Sequence, residues 1–586
     1  MALPDPDPTR WLTDLLTADQ PLSPIGPLGQ QAPDALAAAV APWVRAASEL
    51  TAWQLKSWSA VTGGWTSALG GSPSAPSAPS TPAGARPAKP PIEDRRFAGQ
   101  QWRDDPRYQA LAAAYLRQTE LINRAVEAAP LDERTRGQWT FALRQVTDAL
   151  SPANSLATNP EALQLALDTG GESLLAGMRL FTEDLAKGRV SMTDDDAFEI
   201  GGNLAVTPGQ VVFQNELVQL IQYAPTTTRV YQRPLVIIPP CVNKYYILDL
   251  RPENSFVKYM VEQGHTVFMV SWRNAGPEQQ RFVWDDYLEL GVLPAIDVAR
   301  RICKVEKVNT LGFCIGASLL TGALAAMEQR GEPLASSMTL FTAMLDFTEG
   351  GEMGLLVTEQ GVRAREAAIG KGGLIKGIEM AQLFASLRAN DLIWPYVVSG
   401  YLKGQRPPPF DLLYWNSDNT NLPGPMFCWY IRASYLENAL CRPGGTVQLG
   451  ERIDLQDISA PTFLYASKDD HIVPWKSAYA CTQMFGGNPT FLLGASGHIA
   501  GVINPPAKNK RNYWVTPPTA EEARLPADPD AWFDGAERVE GSWWPAWMHW
   551  LATHSGRRVA ARKRLGNTEF RPLEDAPGSY VKIKSR

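Results

Sequence analysis

The chain has 586 residues, 45% of them hydrophobic, enough to bury a substantial core in one large domain plus a second unit. Its 55 basic and 61 acidic side chains leave a net charge of -6, which argues against nucleic acid as the main partner, because such binders carry a basic excess. Six cysteines without a C-x-x-C pair exclude a zinc ribbon and a dense disulfide framework, and reduced thiols are the simpler reading.

The start, MALPDPDPTRW, lacks a basic region followed by an apolar core, and no apolar run is long enough to span a bilayer. These features predict a soluble, unexported protein without a transmembrane segment. Within residues 1–69, Leu36, Val40, Trp43, Ala47 and Leu50 recur at helical spacing, followed by Trp53, Trp58 and Trp65. Such a helix packs on its own domain or rests on a hydrophobic interface. Residues 70–91, GGSPSAPSAPSTPAGARPAKPP, are too rich in proline and small residues for a core and read as a linker.

Residues 92–195 read as a mostly helical domain. Asp105 and Pro106 supply an N-cap and a first helical residue, the stripe Tyr108, Leu111, Tyr115, Ile122, Val126 follows, and a second helix is expected from about Arg134 to Leu150. From about residue 196 the texture changes. GQVVFQNELVQLIQYA alternates as a strand pair would. Six short runs come next: RPLVIIPP (233–240), HTVFMVSW (265–272), VNTLGFC (308–314), SMTLFTAM (337–344), PTFLYAS (461–467) and PTFLLG (489–494). Each is apolar almost throughout, as for strands buried on both faces of a parallel sheet, with room between them for crossover helices. The class is therefore α/β. Residues 345–460 are far too long for a crossover and read as an inserted cap over the C-terminal edge of the sheet.

The chemistry centres on LGFCIGA. Gly312 and Gly316 flank Cys314 where a predicted strand meets a predicted helix, giving a nucleophile on a sharp turn the room it needs. At the helix start the Ile315 amide faces a developing oxyanion. Of five histidines, His265 opens a strand and His549 and His554 lie in a C-terminal helical segment, all structural places. His498, in GASGHIAGV after the last run, is the first choice of base, and His471 is its rival. Asp470, in ASKDDHIVPW, ranks first as the acid, ahead of Asp346 and Asp469. The order nucleophile, acid, histidine matches an α/β-hydrolase arrangement. Val242, in IPPCVNKYYIL, is assigned the second oxyanion amide, while Cys241 is either a buried structural thiol or part of the substrate pocket. Ala500, two residues past His498, borders the acyl pocket by proximity.

Taken together, GFCIGA, PPCVNKYYILDL, GHTVFMVSWRN, NSDNTNLPGPMFCWY, DDHIVPWKSAY, GASGHIAGVINPPAKNKR and SPANSLATNPEAL resemble polyhydroxyalkanoate synthase, most closely the single-subunit class I enzymes, over roughly residues 95–586. The resemblance implies an α/β-hydrolase fold with a cap, preceded by the helical domain. It also implies polymerisation of (R)-3-hydroxyacyl-CoA with release of CoA, in the cytoplasm at the surface of the growing granule. The family's catalytic cysteine, aspartate and histidine fall on Cys314, Asp470 and His498. A homodimer through the cap is expected, with acyl-CoA and growing polyester as ligands and no metal or cofactor. The family usually has glycine where this chain has Ala317, a methyl that could tighten the turn. Alternatives are a thioesterase or polyester depolymerase on the same fold, or a non-catalytic granule-surface protein. Arg557, Arg558, Arg562, Lys563 and Arg564 form either a solvated basic group or a site for CoA phosphates or a partner.

Overall fold

The six apolar runs form six parallel strands at the centre of the main sheet. The computed structural model describes residues 93–487, 489–517 and 525–585; the expected helix with Trp53, Trp58 and Trp65 and the linker at 70–91 lie outside them. The strands of the main sheet are β1 (Gly209–Gln214), β2 (Val218–Tyr223), β3 (Leu235–Ile238), β4 (Val267–Trp272), β5 (Val308–Phe313), β6 (Ala335–Phe341), β7 (Thr462–Ser467), β8 (Thr490–Gly494), β9 (Asn512–Val515), β10 (Glu537–Glu540) and β11 (Glu574–Asp575). Their order is β10-β9-β8-β7-β6-β5-β3-β4-β2-β1-β11. From β8 to β4 every neighbouring pair is parallel, in registers such as Ile238↔Gly312 and Phe313↔Phe341. The flanking pairs are antiparallel.

Alternation within these strands explains why they are apolar throughout. Val236 and Ile238 join one core cluster and Leu235 and Ile237 the other; Phe268 and Val270 likewise oppose Val267 and Met269. Both faces are covered by helices, so both registers must be apolar. Burying one such side chain contributes about 1.5–3 kcal/mol, and the sheet repeats this along every central strand. The result is a rigid platform at whose C-terminal edge loops are held.

The helices ahead of the sheet follow their caps. Asp105 accepts from the Arg107 N–H and Pro106 opens a helix to Ala128, while Asp132 accepts from Thr135 at the start of Glu133–Ala149. Both agree with the sequence expectation to within a residue. The second of these helices braces the segment inserted between β6 and β7. Arg144 forms a two-pronged pair with Glu352 at 2.7 and 2.8 Å, and Gln138 and Gln145 donate to the carbonyls of Leu355 and Ser386. The helix Glu172–Lys187 is anchored through Asp184, which accepts from the Tyr401 hydroxyl at 2.8 Å. On the same helix Leu175, Met178, Phe181 and Leu185 are exposed, Phe181 standing edge-on to Tyr401 at 5.3 Å.

The basic group falls elsewhere. A short strand, Arg558–Ala560, pairs with Arg229–Tyr231, which leads into the start of β3, and Ser555 bonds Asn309 at the start of β5. Arg557, Arg558, Arg562, Lys563 and Arg564 therefore sit by the N-terminal edge of the sheet, at the end opposite Cys314.

Candidate active site

Cys314 ends β5 and caps the helix Ile315–Gln329 in a conformation rare for a side-chain-bearing residue, φ 53° and ψ -127°. Such backbone strain costs on the order of 1–3 kcal/mol and persists only where the surroundings over-determine it. Here the Cys314 N–H donates to the Phe341 carbonyl at 3.0 Å on β6, and the Cys314 carbonyl accepts from Ala317. The flanking glycines are required by close approach. A methyl on Gly316 would collide with the carbonyls of Ile238 and Pro239, and one on Gly312 would lie 2.5 Å from the Ala317 Cα. The Ala317 methyl is itself fully buried in the turn. Gly316 therefore sets the nucleophile turn against the end of β3, where the loop Cys241–Lys244 begins.

His498 begins a short helix after β8, and Asp470 follows β7. Both are buried. The His498 Nδ1 lies 2.6 Å from Asp470 Oδ2, while Asp470 Oδ1 accepts from the N–H groups of Ile472 and Val473 at 2.9 Å each. The Cys314 sulfur lies close enough to the His498 imidazole to help raise its pKa, and the ring also packs on Phe313 at 5.9 Å. Burial works against a charged imidazole, but the Asp470 carboxylate and the Cys314 sulfur outweigh it and lift His498 to about 10. Three residues from three strand ends thus form one connected line, with a strong proton acceptor beside the thiol.

The other candidates separate from this line. Asp346 holds the Thr348 N–H and hydroxyl and the Asn438 side chain; Asp469 is exposed. His471 is half-buried, and burial lowers its pKa. His265 is buried beside Tyr231, its ring 4.5 Å away, on the far side of the fold. His549 and His554 lie on the helix Trp544–His554. Cys241 is buried, its thiol pushed well up by burial, and close enough to feel the Cys314 sulfur. Val242 is half-buried beside it. Ile315, first residue of its helix, has an N–H without an intrahelical partner. Ala500 lies on the same short helix as His498, its carbonyl accepting from Arg511.

The sequence predicts a cap over the C-terminal edge of the sheet but does not single out the aromatic residues that form it. The inserted segment brings Tyr430 and Tyr435 close enough to Cys314 to feel its sulfur. Burial pushes both phenols up, and the Cys314 sulfur adds to the effect on each; Tyr435 also feels Asp470. Phe347 stands edge-on to Tyr435 at 4.7 Å, and Trp284 stacks on Trp429 at 4.7 Å and on Tyr430 at 5.6 Å. The aromatic run in GPMFCWYIRASY was a signal, but α-helical spacing would place Tyr430 and Tyr435 on different faces. A π-helical turn at Arg432–Leu436 widens the spiral there. Among the described residues no group of three or more His, Cys, Asp or Glu side chains is placed to hold a metal ion. A strained thiol, a paired histidine, helix-start amides and an aromatic roof are suited to acyl transfer away from bulk water.

Two families match the chain: "Poly-beta-hydroxybutyrate polymerase (PhaC) N-terminus" over residues 93–260 and "alpha/beta hydrolase fold" over residues 234–505. The chain is 50% identical over 507 residues to the "Poly(3-hydroxyalkanoate) polymerase subunit PhaC" of Cupriavidus necator, covering 86% of this chain and 85% of that protein. It is 41% identical over 504 residues to the protein of the same description from Rhizobium meliloti, covering 85% and 81%. With the "Poly(3-hydroxyalkanoate) polymerase" of Methylorubrum extorquens it shares 40% over 503 residues, covering 85% and 82%.

Proposed function

The chain belongs to the poly(3-hydroxyalkanoate) polymerase family, and we propose that it performs the family's reaction through an acyl thioester on Cys314. It polymerises 3-hydroxyacyl-CoA into polyester with release of CoA. The observation that carries the catalytic assignment is the connected line Cys314, His498, Asp470 at the C-terminal edge of the sheet.

In the first half-reaction His498 takes the Cys314 proton and the sulfur attacks the thioester carbonyl. The oxyanion is received by the amides of Ile315 and Val242. The bond to the CoA sulfur breaks, and His498 returns the proton so that CoA leaves as its thiol. Thioester replaces thioester, so the acyl group stays activated. In the second half-reaction the 3-hydroxyl of another unit attacks the acyl carbonyl while His498 takes its proton. An ester forms, and the proton passes to the released Cys314 sulfur. Asp470 orients His498 and stabilises its charge. No cofactor is needed beyond the CoA carried by the substrate.

Short 3-hydroxyacyl groups, 3-hydroxybutyryl first, are the substrates of this reading, with Cys241 and Ala500 at the pocket border. The enzyme acts in the cytoplasm at the granule surface, a reading supported by the exposed Leu175, Met178, Phe181 and Leu185. It dimerises through the 345–460 insertion. An active species that stays monomeric throughout turnover would overturn the dimer.

The test is incubation with (R)-3-hydroxybutyryl-CoA, quantifying CoA, insoluble polymer and free hydroxy acid, with Cys314→Ala as control. Polymer from the wild type and no CoA release from the variant are expected. Free acid as the main product would make the protein a hydrolase, and CoA release by Cys314→Ala would remove Cys314 from the mechanism. Competition between C4 and C8 hydroxyacyl-CoA sets the chain length.

A further inference from the structure

Lys244 is one of the most deeply placed charges in the protein. Its side chain is 2% exposed and its partner Asp418 only 6%, with Nζ and Oδ1 2.9 Å apart. The other two ammonium protons are also used: Nζ donates to the carbonyls of Val581 at 2.7 Å and Ile583 at 2.9 Å. Asp418 Oδ2 accepts from the Tyr246 hydroxyl at 2.9 Å, and the Lys244 carbonyl accepts from Trp415 Nε1 at 2.7 Å. All three donors of the ammonium are thereby matched.

Stability alone is a poor account of such a pair. Burying two ions costs several kcal/mol each, and well-packed apolar replacements are often as stable or more so. What this pair does is join three segments that meet nowhere else in sequence: the loop Cys241–Lys244, the inserted segment around Asp418, and the segment Tyr580–Ile583. The junction extends along both strands of the contact. Asn243 bridges Asn419, the Thr420 N–H donates to the Val242 carbonyl at 3.2 Å, and the Thr420 hydroxyl donates to the Cys241 carbonyl. The third segment is itself held, since Gln219 Oε1 accepts the N–H groups of Ser579 and Tyr580 at 3.1 and 3.0 Å. With the carbonyls of Cys241, Val242 and Lys244 each fixed, the peptide units carrying the N–H groups of Val242 and Asn243 have little freedom left. Gly316 packs the nucleophile turn against the start of this same loop.

We propose that Lys244 is a positioning residue for acylation: held by Asp418 and by the Val581 and Ile583 carbonyls, it fixes the loop whose Val242 N–H receives the oxyanion. Residues 580–583 are on this view part of the catalytic framework although they touch no reacting atom. The proposal rests on the oxyanion assignment of Val242 made above.

The test uses the full-length chain and two reactions of the same sulfur. CoA release in a first turnover of 3-hydroxybutyryl-CoA passes through an oxyanion; alkylation of Cys314 by iodoacetamide needs the sulfur and His498 but forms none. Lys244→Met is expected to slow first-turnover CoA release on the order of 100-fold, as misplacing an oxyanion donor does, with alkylation within about threefold of wild type. Asp418→Asn, which keeps a weaker acceptor, is expected to fall between them and carries the test where Lys244→Met does not fold. Equal losses in both reactions, or no loss in CoA release, overturn the proposal. Val242→Pro separates the levels. If it leaves CoA release unchanged, the oxyanion assignment fails and this proposal with it; if it slows release and the Lys244 and Asp418 variants do not, only the proposal fails. A wild type that alkylates but releases no CoA overturns the reaction itself.

Discussion

Asp470 divides its carboxylate between two tasks: Oδ2 lies 2.6 Å from His498 Nδ1, and Oδ1 is held by the N–H groups of Ile472 and Val473 at 2.9 Å. The second contact stops the carboxylate from turning, so the first one fixes the ring, with the Cys314 sulfur close by. Asp470→Asn preserves the shape but presents an amide that can stabilise neither the imidazolium nor the correct tautomer. Polymerisation by this variant should fall roughly 10³–10⁴-fold with little change in secondary structure. Asp346→Asn, whose carboxylate serves Thr348 and Asn438, should change the rate less than about threefold. Steady-state CoA release on both variants decides, and a larger loss in the second would move the acid to Asp346.

The turn around Cys314 makes a separate claim about stability. Gly316 faces the carbonyls of Ile238 and Pro239, backbone atoms that belong to a central strand and its exit and have nowhere to go. Gly316→Ala should therefore destabilise by about 1–3 kcal/mol or more, seen as a lower denaturant midpoint. Ala317 is the converse. Its methyl is already accommodated and fully buried, so Ala317→Gly should cost about 1 kcal/mol of helix stability and leave CoA release within about threefold. A large gain in activity would show that the methyl tightens the turn.

Much of this is legible in the sequence, for a physical reason in each case. Strands covered on both faces must be apolar in both registers, so β3 to β8 stood out as runs. The turn at Gly312 and Gly316 announces itself because only glycine fits there. Asp470 and His498 follow successive strands, and chain order brought them to the same edge as Cys314. What escaped was what burial does not mark. β9 and β10, NYWV and ERVE, are half-buried or exposed and antiparallel, and β11 is two acidic residues paired to β1. Nothing in the sequence marks Lys244 and Asp418 as buried, because their burial depends on Val581 and Ile583, far along the chain. Tyr430 and Tyr435 needed a π-helical turn that no simple period anticipates.

Two buried histidines should give opposite pH dependences. His498 is raised to about 10, so its contribution to stability is complete below its unfolded value near 6.5 and is lost as pH rises towards 10. The stability difference between wild type and His498→Gln should shrink across that window by roughly 1–1.5 kcal/mol per pH unit. His265 is the reverse case. Burial and the nearby Arg558 lower it to about 3, and neither ring nitrogen has a partner. Its neutral form is favoured by the fold, so its contribution is present above 6.5 and is lost as pH falls towards 3. His265→Phe should flatten the acid limb of the stability profile and leave the alkaline limb unchanged. Urea unfolding between pH 5 and 9.5 reads both; an acid limb unchanged in His265→Phe would mean another group governs it.

Esters accumulate only if the acyl group escapes hydrolysis. An acyl group on Cys314 can be taken by a hydroxyl of the growing chain or by water, and water is present in vast excess. The thiol does not choose between them, since a thioester reacts with both. Selection must come from what surrounds the carbonyl, and here that is the roof: Tyr430 and Tyr435 close to the sulfur, with Phe347 edge-on to Tyr435 at 4.7 Å and to Tyr430 at 6.4 Å. Phe347 is 5% exposed and belongs to the main core cluster; truncating it should cost about 3–5 kcal/mol and leave a void against polar hydroxyls that water can fill. Phe347→Ala should therefore raise the ratio of free hydroxy acid to polymer at least about tenfold, while total CoA release falls less than that, because the catalytic line below is untouched. Phe347→Leu, which refills most of the space, should restore polymer. If the product ratio in Phe347→Ala matches wild type, water is excluded by something other than this wall, and the aromatic roof is only packing.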